Sequence, residues 1–160
     1  KSKYIGEALA DSLMTHLPKV ELKDTITFSA LTLRMELPPY NIRLTTTTNL
    51  TTFLSKKLLP LSDRVYLQAV KLGDMIWITT PCDFSGEYAL RLKNSLAVYG
   101  YKANVTSFNG AYVGYIVPPR YFYLDKYEPK AMGWFGPTMG DYTLDLIRQM
   151  TRVLTNTDNI

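Results

Sequence analysis

A chain of 160 residues has the length of one ordinary domain, and a content of 46% hydrophobic and 20% charged residues is typical of a globular protein. The net charge of +4 is spread along the chain, which argues against nucleic-acid binding, because nucleic-acid binders concentrate their basic residues on one face. Cys82 is the only cysteine, which excludes an internal disulfide and a cysteine-built zinc site, and no apolar stretch reaches the roughly 18 residues of a membrane-spanning helix.

The spacing of apolar residues predicts the elements of the first half of the chain. Ile5, Leu9 and Leu13 recur every four positions, as on one face of a helix, and a proline stops the pattern. In the strand-like segment that follows, the apolar phase changes part of the way along, which indicates a bulge. The next run is rich in threonine and is typical of a strand edge or a loop. The predicted elements are a helix over 3–17, a strand over 24–37 with a bulge near Ala30, and a short helix over 48–58.

The second half of the chain has clearer patterns. Two apolar segments flank a Gly73–Asp74 turn, and residues 75–78 are apolar throughout, which favours a central strand covered on both faces. The predicted elements are strands over 64–71, 75–80 and 101–109, helices over 85–99 and 139–154, and a largely irregular segment over 110–137. This order predicts a single α/β domain over residues 1–160, with a mixed β-sheet flanked by helices in a layered sandwich.

The stretch ITTPCDFSGEY, residues 78–88, places polar side chains between a buried strand and a helix. Ligand sites in α/β sheets usually lie at such strand ends, so Asp83 is a candidate site residue. The alternative is that Asp83 or Ser85 caps the following helix, with a side-chain oxygen accepting a backbone N–H. We interpret Cys82 as a small buried hydrophobic residue, the usual environment of a free cysteine.

Histidine-based chemistry has little support in this sequence. His16 is the only histidine, and it lies at the end of the first predicted helix, where nothing nearby suggests a nucleophile within hydrogen-bond reach. We interpret it as a surface or boundary residue. A catalytic triad is therefore absent, and a catalytic zinc site, which normally needs three protein ligands, is incomplete in this chain.

The segment NGAYVGYIVPPRYFYLDKYEP, residues 109–129, concentrates aromatic side chains in what the pattern predicts to be irregular chain. One interpretation is a wall for an apolar or amphipathic ligand, with phenol hydroxyls that orient it. The other is a packed loop whose rings cover the core while their hydroxyls reach water. The six aromatic residues are Tyr112, Tyr115, Tyr121, Phe122, Tyr123 and Tyr127.

Several stretches, taken in order, resemble the end of the catalytic domain of the neutral/alkaline, non-lysosomal ceramidase family. LGDMIWITTPCDFS is similar to the family's apolar strand followed by P-x-E-[FV]-[TS], and YALRLKNSL to the helix that comes next. NGAYVGYIVP is similar to N-x-Y-x-x-Y-[IV]-[TV], and RYFYLDKYEPKAMGWFGP to the segment before [YF]-G-P. The first helix, KYIGEALADSL, also resembles its counterpart. The similarity is strongest over about 64–150.

The resemblance implies a hydrolase of sphingolipid metabolism that cleaves the N-acyl amide bond of ceramide to sphingosine and fatty acid. The family holds one zinc ion with two His, a Glu and a Tyr. The Glu falls on Asp83 and the Tyr on Tyr115. The histidines and an active-site Ser lie earlier in the family's chain, so this chain contains no catalytic residue of its own. It is expected to be inactive without the upstream part of the same enzyme.

The resemblance also implies a lipid-facing surface. A ceramide-like lipid amide is the implied partner, with association with a membrane surface and a secreted, periplasmic or cell-surface location. Residues placed around the acyl-chain entrance, for which packing is an equal explanation, are Tyr112, Tyr121, Phe122 and Tyr123.

Two alternatives stay open. Asp83 is one methylene shorter than the family's Glu, which is compatible with a relative that has lost zinc and binds a lipid or a protein without catalysis. The second alternative is an amidase of the same type that acts on a different lipid amide.

Overall fold

The computed structural model describes residues 1–22 and 24–156. Within them the predicted elements occur in the predicted order, with short 3-10 turns at Leu17–Lys19 and Pro119–Tyr121. Three short elements were not predicted: strands at Asp83–Phe84 and Tyr115–Ile116, and a helix at Tyr127–Met132. The helices are α1 (Ser2–His16), α2 (Thr52–Leu58), α3 (Gly86–Ala97), α4 (Tyr127–Met132) and α5 (Met139–Thr155). The strands are β1 (Phe28–Arg34), β2 (Tyr66–Leu72), β3 (Met75–Thr79), β4 (Asp83–Phe84), β5 (Lys102–Thr106) and β6 (Tyr115–Ile116).

A four-stranded mixed sheet with the order β1-β2-β3-β5 organises the domain. β1, β2 and β3 run antiparallel, whereas β5 is parallel to β3. A parallel neighbour requires a crossover connection, and α3 supplies it between β3 and β5. β4 and β6 form a separate, two-stranded parallel sheet. The predicted α/β class with a mixed sheet flanked by helices is thus confirmed.

The core lies between one face of the four-stranded sheet and the helices α3 and α5. Alternate strand residues such as Leu67, Ile76 and Ile78 point to this face and are almost fully buried. Leu92 of α3 and Ile147 of α5 are buried on the opposite side of the same cluster. Each of these two helices therefore packs one apolar stripe on the sheet.

The opposite face of the sheet is open within the described residues, and this corrects two predictions. The side chain of Trp77 is 41% exposed, so β3 is not covered on both faces. Its indole Nε1 donates to Thr106 Oγ1 at 2.6 Å on this face. The bulge predicted near Ala30 is also wrong, because the pairing of β1 with β2 runs without interruption from Phe28↔Leu72 to Arg34↔Tyr66. The change of apolar phase arises because Phe28 points to the open face, where it is 67% exposed.

The helix predicted over 3–17 is present as α1, but none of its residues is buried. The apolar stripe that predicted it is solvent-exposed at Ile5, Leu9 and Leu13. His16 lies in its last turn, where the ring Nδ1 is 2.7 Å from the carbonyl oxygen of Ser12. No helix among the described residues is long and apolar enough to cross a membrane.

Close packing of α5 on α3 depends on the absence of a side chain at Gly140. A Cβ there would lie 2.5 Å from Tyr88 Oη and 2.6 Å from the carbonyl oxygen of Val117. The Tyr88 hydroxyl donates to Asp141 Oδ1 at 2.8 Å, so the ring is held in place and cannot move aside without losing that bond. Burial and this hydrogen bond raise the pKa of Tyr88.

We therefore expect Gly140→Ala to lower the free energy of unfolding by about 2 kcal/mol, since the overlap outweighs the gain in helix propensity. Urea unfolding followed by circular dichroism measures this loss. Gly6→Ala is the matched control in α1, where a Cβ would meet nothing within 4 Å. Equal unfolding midpoints for the two variants would show that the overlap at residue 140 is relieved without cost.

Candidate functional site

The pairing of β4 with β6 brings together the two residues of the predicted metal site. These strands are parallel, with Asp83 directly opposite Tyr115. The backbone bonds Asp83 N–H to Gly114 O and Ser85 N–H to Ile116 O, each 3.0 Å, fix this register. Opposed residues in adjacent strands project to the same face of a sheet. The two side chains, far apart in the sequence, therefore converge.

The side chains of Tyr115 and Asp83 interact. Hydrogen bonding of the Tyr115 phenol with the Asp83 carboxylate is the main cause that raises the pKa of Tyr115 to about 12. The negative charge of Asp83 raises this pKa further, because it disfavours a second negative charge beside it. Both residues are half-buried, so the pair lies at an accessible surface.

Aromatic and acidic side chains surround this pair. Burial raises the pKa of Tyr112, and the negative charge of Asp83 raises it further by a smaller amount. The ring of Tyr127 meets that of Tyr115 edge to face, with centroids 6.3 Å apart. The negative charge of Glu128 also raises the pKa of Tyr115, by a smaller amount than Asp83 does. Tyr127 and Glu128 were not among the predicted site residues, and the only sequence signal for them was the aromatic richness of the segment.

The alternative interpretation of Asp83 and Ser85 as helix caps is wrong. Ser85 occupies the N-cap position of α3, but its side chain makes no capping hydrogen bond. Asp83 lies in β4, two residues before that position, and its carboxylate accepts the Tyr115 hydroxyl instead. Cys82, in contrast, is 1% exposed as predicted, and burial raises the pKa of its thiol to about 12.

The other three residues predicted for the acyl-chain entrance lie in different surroundings. Tyr121 packs under the guanidinium of Arg120, 4.5 Å from the ring centroid, on the side of α3. Phe122 is 8% exposed, and its ring packs edge to face with that of Tyr123, with centroids 5.2 Å apart. Tyr112, the fourth predicted wall residue, lies near Asp83, whose negative charge contributes to its raised pKa.

The donors at this pair fit two positions of a zinc site. Zinc accepts carboxylate oxygen, and a cation nearby favours the ionised form of a phenol. The described residues contain no cluster of three or more His, Cys, Asp or Glu side chains, so the remaining ligands of a four-coordinate ion would have to come from elsewhere. Asp83 and Tyr115 are thus compatible with zinc as half of a ligand set.

The Tyr115–Asp83 bond predicts a measurable pH dependence. Asp83→Asn removes the negative charge that disfavours the phenolate, so the pKa of Tyr115 is expected to fall from about 12 towards its ordinary value near 10. At about pH 11 Tyr115 should be mostly neutral in the native chain and mostly ionised in the variant. Tyrosine ring-carbon NMR, with Tyr115→Phe to assign the signal, measures this difference.

Asp141→Asn is the control for that titration, because Asp141 accepts the hydroxyl of Tyr88 and not that of Tyr115. This variant should leave the titration of Tyr115 unchanged. If Asp83→Asn and Asp141→Asn have the same effect on Tyr115, the two side chains do not form the bond described here.

Comparison with known proteins shows the fold. No protein-family model and no curated protein matches this sequence. Among solved structures, the neutral ceramidase from Pseudomonas aeruginosa is similar with a TM-score of 0.54 and 14% identity, covering 75% of this chain and 27% of that one. A structure described as ceramidase complexed with C2 has a TM-score of 0.57 and 19% identity, covering 68% of this chain. The chain matches only 27% and 18% of the lengths of these two proteins.

Proposed function

We propose that this chain is the C-terminal part of the catalytic domain of a zinc-dependent amidohydrolase that cleaves ceramide or a similar lipid amide. The observation that carries the proposal is the parallel register of Asp83 with Tyr115, which brings together two residues that the ceramidase resemblance assigns to one metal. The similarity of fold to two ceramidases supports it independently of those residues.

In this proposal Asp83 and Tyr115 contribute two of the four zinc ligands, and an upstream part of the same protein contributes the others. When bound, zinc polarises the amide carbonyl and lowers the pKa of a water molecule. The Asp83 carboxylate would orient the Tyr115 hydroxyl by accepting a hydrogen bond from it. For Tyr115 to act as an anionic ligand, its hydroxyl proton has to leave, which a neighbouring cation favours by lowering the phenol's pKa.

The aromatic surroundings would position the lipid. Tyr112 and Tyr127 lie close to the pair, and their aromatic rings and hydroxyls suit a substrate with a polar amide and an apolar chain. Tyr123, Leu124 and Tyr127 are exposed on the same segment, and exposed aromatic side chains of this kind suit contact with a membrane surface. The secreted, periplasmic or cell-surface location is part of the same proposal and rests on the family resemblance.

The test compares this 160-residue chain with the complete protein that contains it. Both are purified, their zinc content is measured, and release of fatty acid from ceramide is followed. We expect one zinc per molecule and hydrolysis from the complete protein, and neither from the 160 residues alone. Hydrolysis by the short chain would overturn the assignment of the missing ligands to an upstream part, and a complete protein without zinc would overturn the metal mechanism.

A zinc-less relative that binds a lipid or a protein is the second candidate function. It is favoured by the hydrogen bond from Tyr115 to Asp83, which satisfies both groups without a cation, and by an aspartate where the family has a longer glutamate. The same zinc measurement separates the two candidates. Lipid binding by a complete protein that contains no metal and releases no fatty acid would support this second function.

A further inference from the structure

A buried guanidinium joins the threonine-rich turn to the aromatic segment. Arg43 is 6% exposed, although it lies outside the named strands, where it forms an isolated β-bridge with Asn49. Its Nη1 donates to the carbonyl oxygens of Phe122 and Pro129, each at 2.8 Å, and its Nη2 donates to that of Thr46 at 2.7 Å. The guanidinium also lies over the Phe122 ring, 4.0 Å from the centroid.

Within the part of the chain that the structure describes, the positive charge of Arg43 forms no ion pair with a carboxylate. Burial lowers the pKa of its guanidinium, and the phenol of Tyr123 is the group that opposes this effect. Buried charges in proteins are normally paired, because removing an ion from water is costly. Carbonyl dipoles offset part of that cost here, but the net charge stays.

Two of the five N–H groups of the guanidinium remain available. Three are used by the carbonyl oxygens of Thr46, Phe122 and Pro129, which leaves one on Nη2 and the one on Nε. No fully buried side-chain nitrogen or oxygen in the described part of the chain lacks a hydrogen-bond partner. Nε, which donates none of the bonds found there, must therefore keep some access to solvent.

Arg43 lines a cavity of about 440 Å³. One side of it is polar and is formed by the turn, with Asn41, Thr46 and Asn49. The other side is apolar and includes Trp134 and Phe135. Among residues 1–22 and 24–156, Arg43 is the only charged residue that lines it. A volume of this order holds a small organic molecule, and the lining offers a single positive charge, neutral polar groups and an apolar wall.

We propose that this cavity binds a small organic monocarboxylate, whose carboxylate oxygens take the two free N–H groups of Arg43 and whose apolar part lies against Trp134 and Phe135. Arginine suits this role because its N–H groups match the spacing of carboxylate oxygens. A phosphate dianion fits less well, since one positive charge would leave it half neutralised. The site needs neither zinc nor hydrolysis, so it does not rest on the function proposed above.

The experiment titrates hexanoate into the ¹⁵N-labelled chain and follows the two indole N–H signals by NMR. Trp134 lines the cavity, whereas Trp77 lies on the open face of the sheet and serves as an internal reference. We expect the Trp134 signal to shift and saturate while the Trp77 signal stays in place. Hexanol, which has the same chain without the charge, and inorganic phosphate should each produce less than about a tenth of the hexanoate shift at equal concentration.

Two variants test the charge. Arg43→Gln should weaken hexanoate binding about tenfold or more, because it removes the charge-assisted bonds. Asn49→Asp adds a negative charge at the rim of the cavity and should weaken binding about threefold, whereas Asn104→Asp, an exposed site on the open sheet face, should not change it. If Arg43→Gln does not fold, the hexanoate affinities of Asn49→Asp and Asn104→Asp are sufficient to test where the carboxylate binds.

Three results would overturn the proposal. Equal, unsaturated shifts of Trp134 and Trp77 would show that hexanoate binds without a site. Hexanol or phosphate binding as tightly as hexanoate would show that a monocarboxylate is not what the cavity selects. Equal hexanoate affinity of Asn49→Asp and Asn104→Asp would show that the cavity is not where the carboxylate lies.

Discussion

In the complete protein that contains this chain, Asp83→Ala is expected to lower kcat/KM for ceramide hydrolysis about 100-fold or more. The side chain of Asp83 projects from β4 beside that of Tyr115, and the proposed function makes both of them zinc ligands. Removing one carboxylate leaves zinc with three ligands at most, so bound zinc should fall together with activity. Fatty-acid release and metal analysis of the same preparation measure both quantities, and Tyr115→Phe should lower activity in the same direction.

Two further variants make this prediction specific. Asp63→Ala removes an exposed carboxylate from a loop outside the site and should leave kcat/KM unchanged. Asp83→Glu restores the side-chain length typical of the ceramidase family and should keep or raise zinc occupancy. Full activity of Asp83→Ala would refute the assigned role. A protein that gains zinc only on Asp83→Glu would support the zinc-less relative as the natural state.

Gly114→Ala is expected to lower the free energy of unfolding by about 3 kcal/mol or more, one of the largest effects of a single methyl group in this chain. The φ of Gly114 is +81°, which disfavours any side chain, and a Cβ would lie 2.2 Å from the carbonyl oxygen of Met132. The Met132 oxygen is a backbone atom, so it cannot rotate away as the end of a side chain could. Gly114 also accepts the N–H of Asp83 and precedes Tyr115, so a shift here displaces the proposed ligand pair.

Thermal and urea unfolding measure this loss, which for a domain of this size corresponds to a fall in Tm of roughly 6–12 °C. Gly110→Ala is the matched control, because its φ is +75° but a Cβ there would meet nothing within 4 Å. It should cost only about 1–2 kcal/mol, the price of the left-handed conformation. Equal losses for the two variants would show that the contact with Met132 is relieved by a small shift of the chain.

The helices and strands were largely predictable from local pattern. The helix predicted over 139–154 is present as α5, Met139–Thr155, and eight of its residues are buried. The turn at Gly73 likewise separated β2 from β3 at the right position. The errors share one cause. Phe28 and Trp77 are apolar residues on an open face, and a pattern of apolar residues cannot tell which face of a sheet is covered.

The candidate site was predictable only in part. The resemblance to a family identified Asp83 and Tyr115, but no local pattern indicated that the two are neighbours, and a helix cap was an equally reasonable interpretation of Asp83. Tyr121 shows the opposite error. Its place in an aromatic segment suggested a substrate wall, whereas its ring packs under Arg120.

By itself the sequence determined the α/β class, the order of the elements and the burial of Cys82, because hydrophobic periodicity and turn residues act over a few neighbouring positions. The tertiary structure alone decided that Asp83 and Tyr115 share one register, and that Arg43 is buried against carbonyl groups 79 and 86 residues away. Those arrangements depend on contacts between distant segments, whose free energy appears in no local pattern of residues.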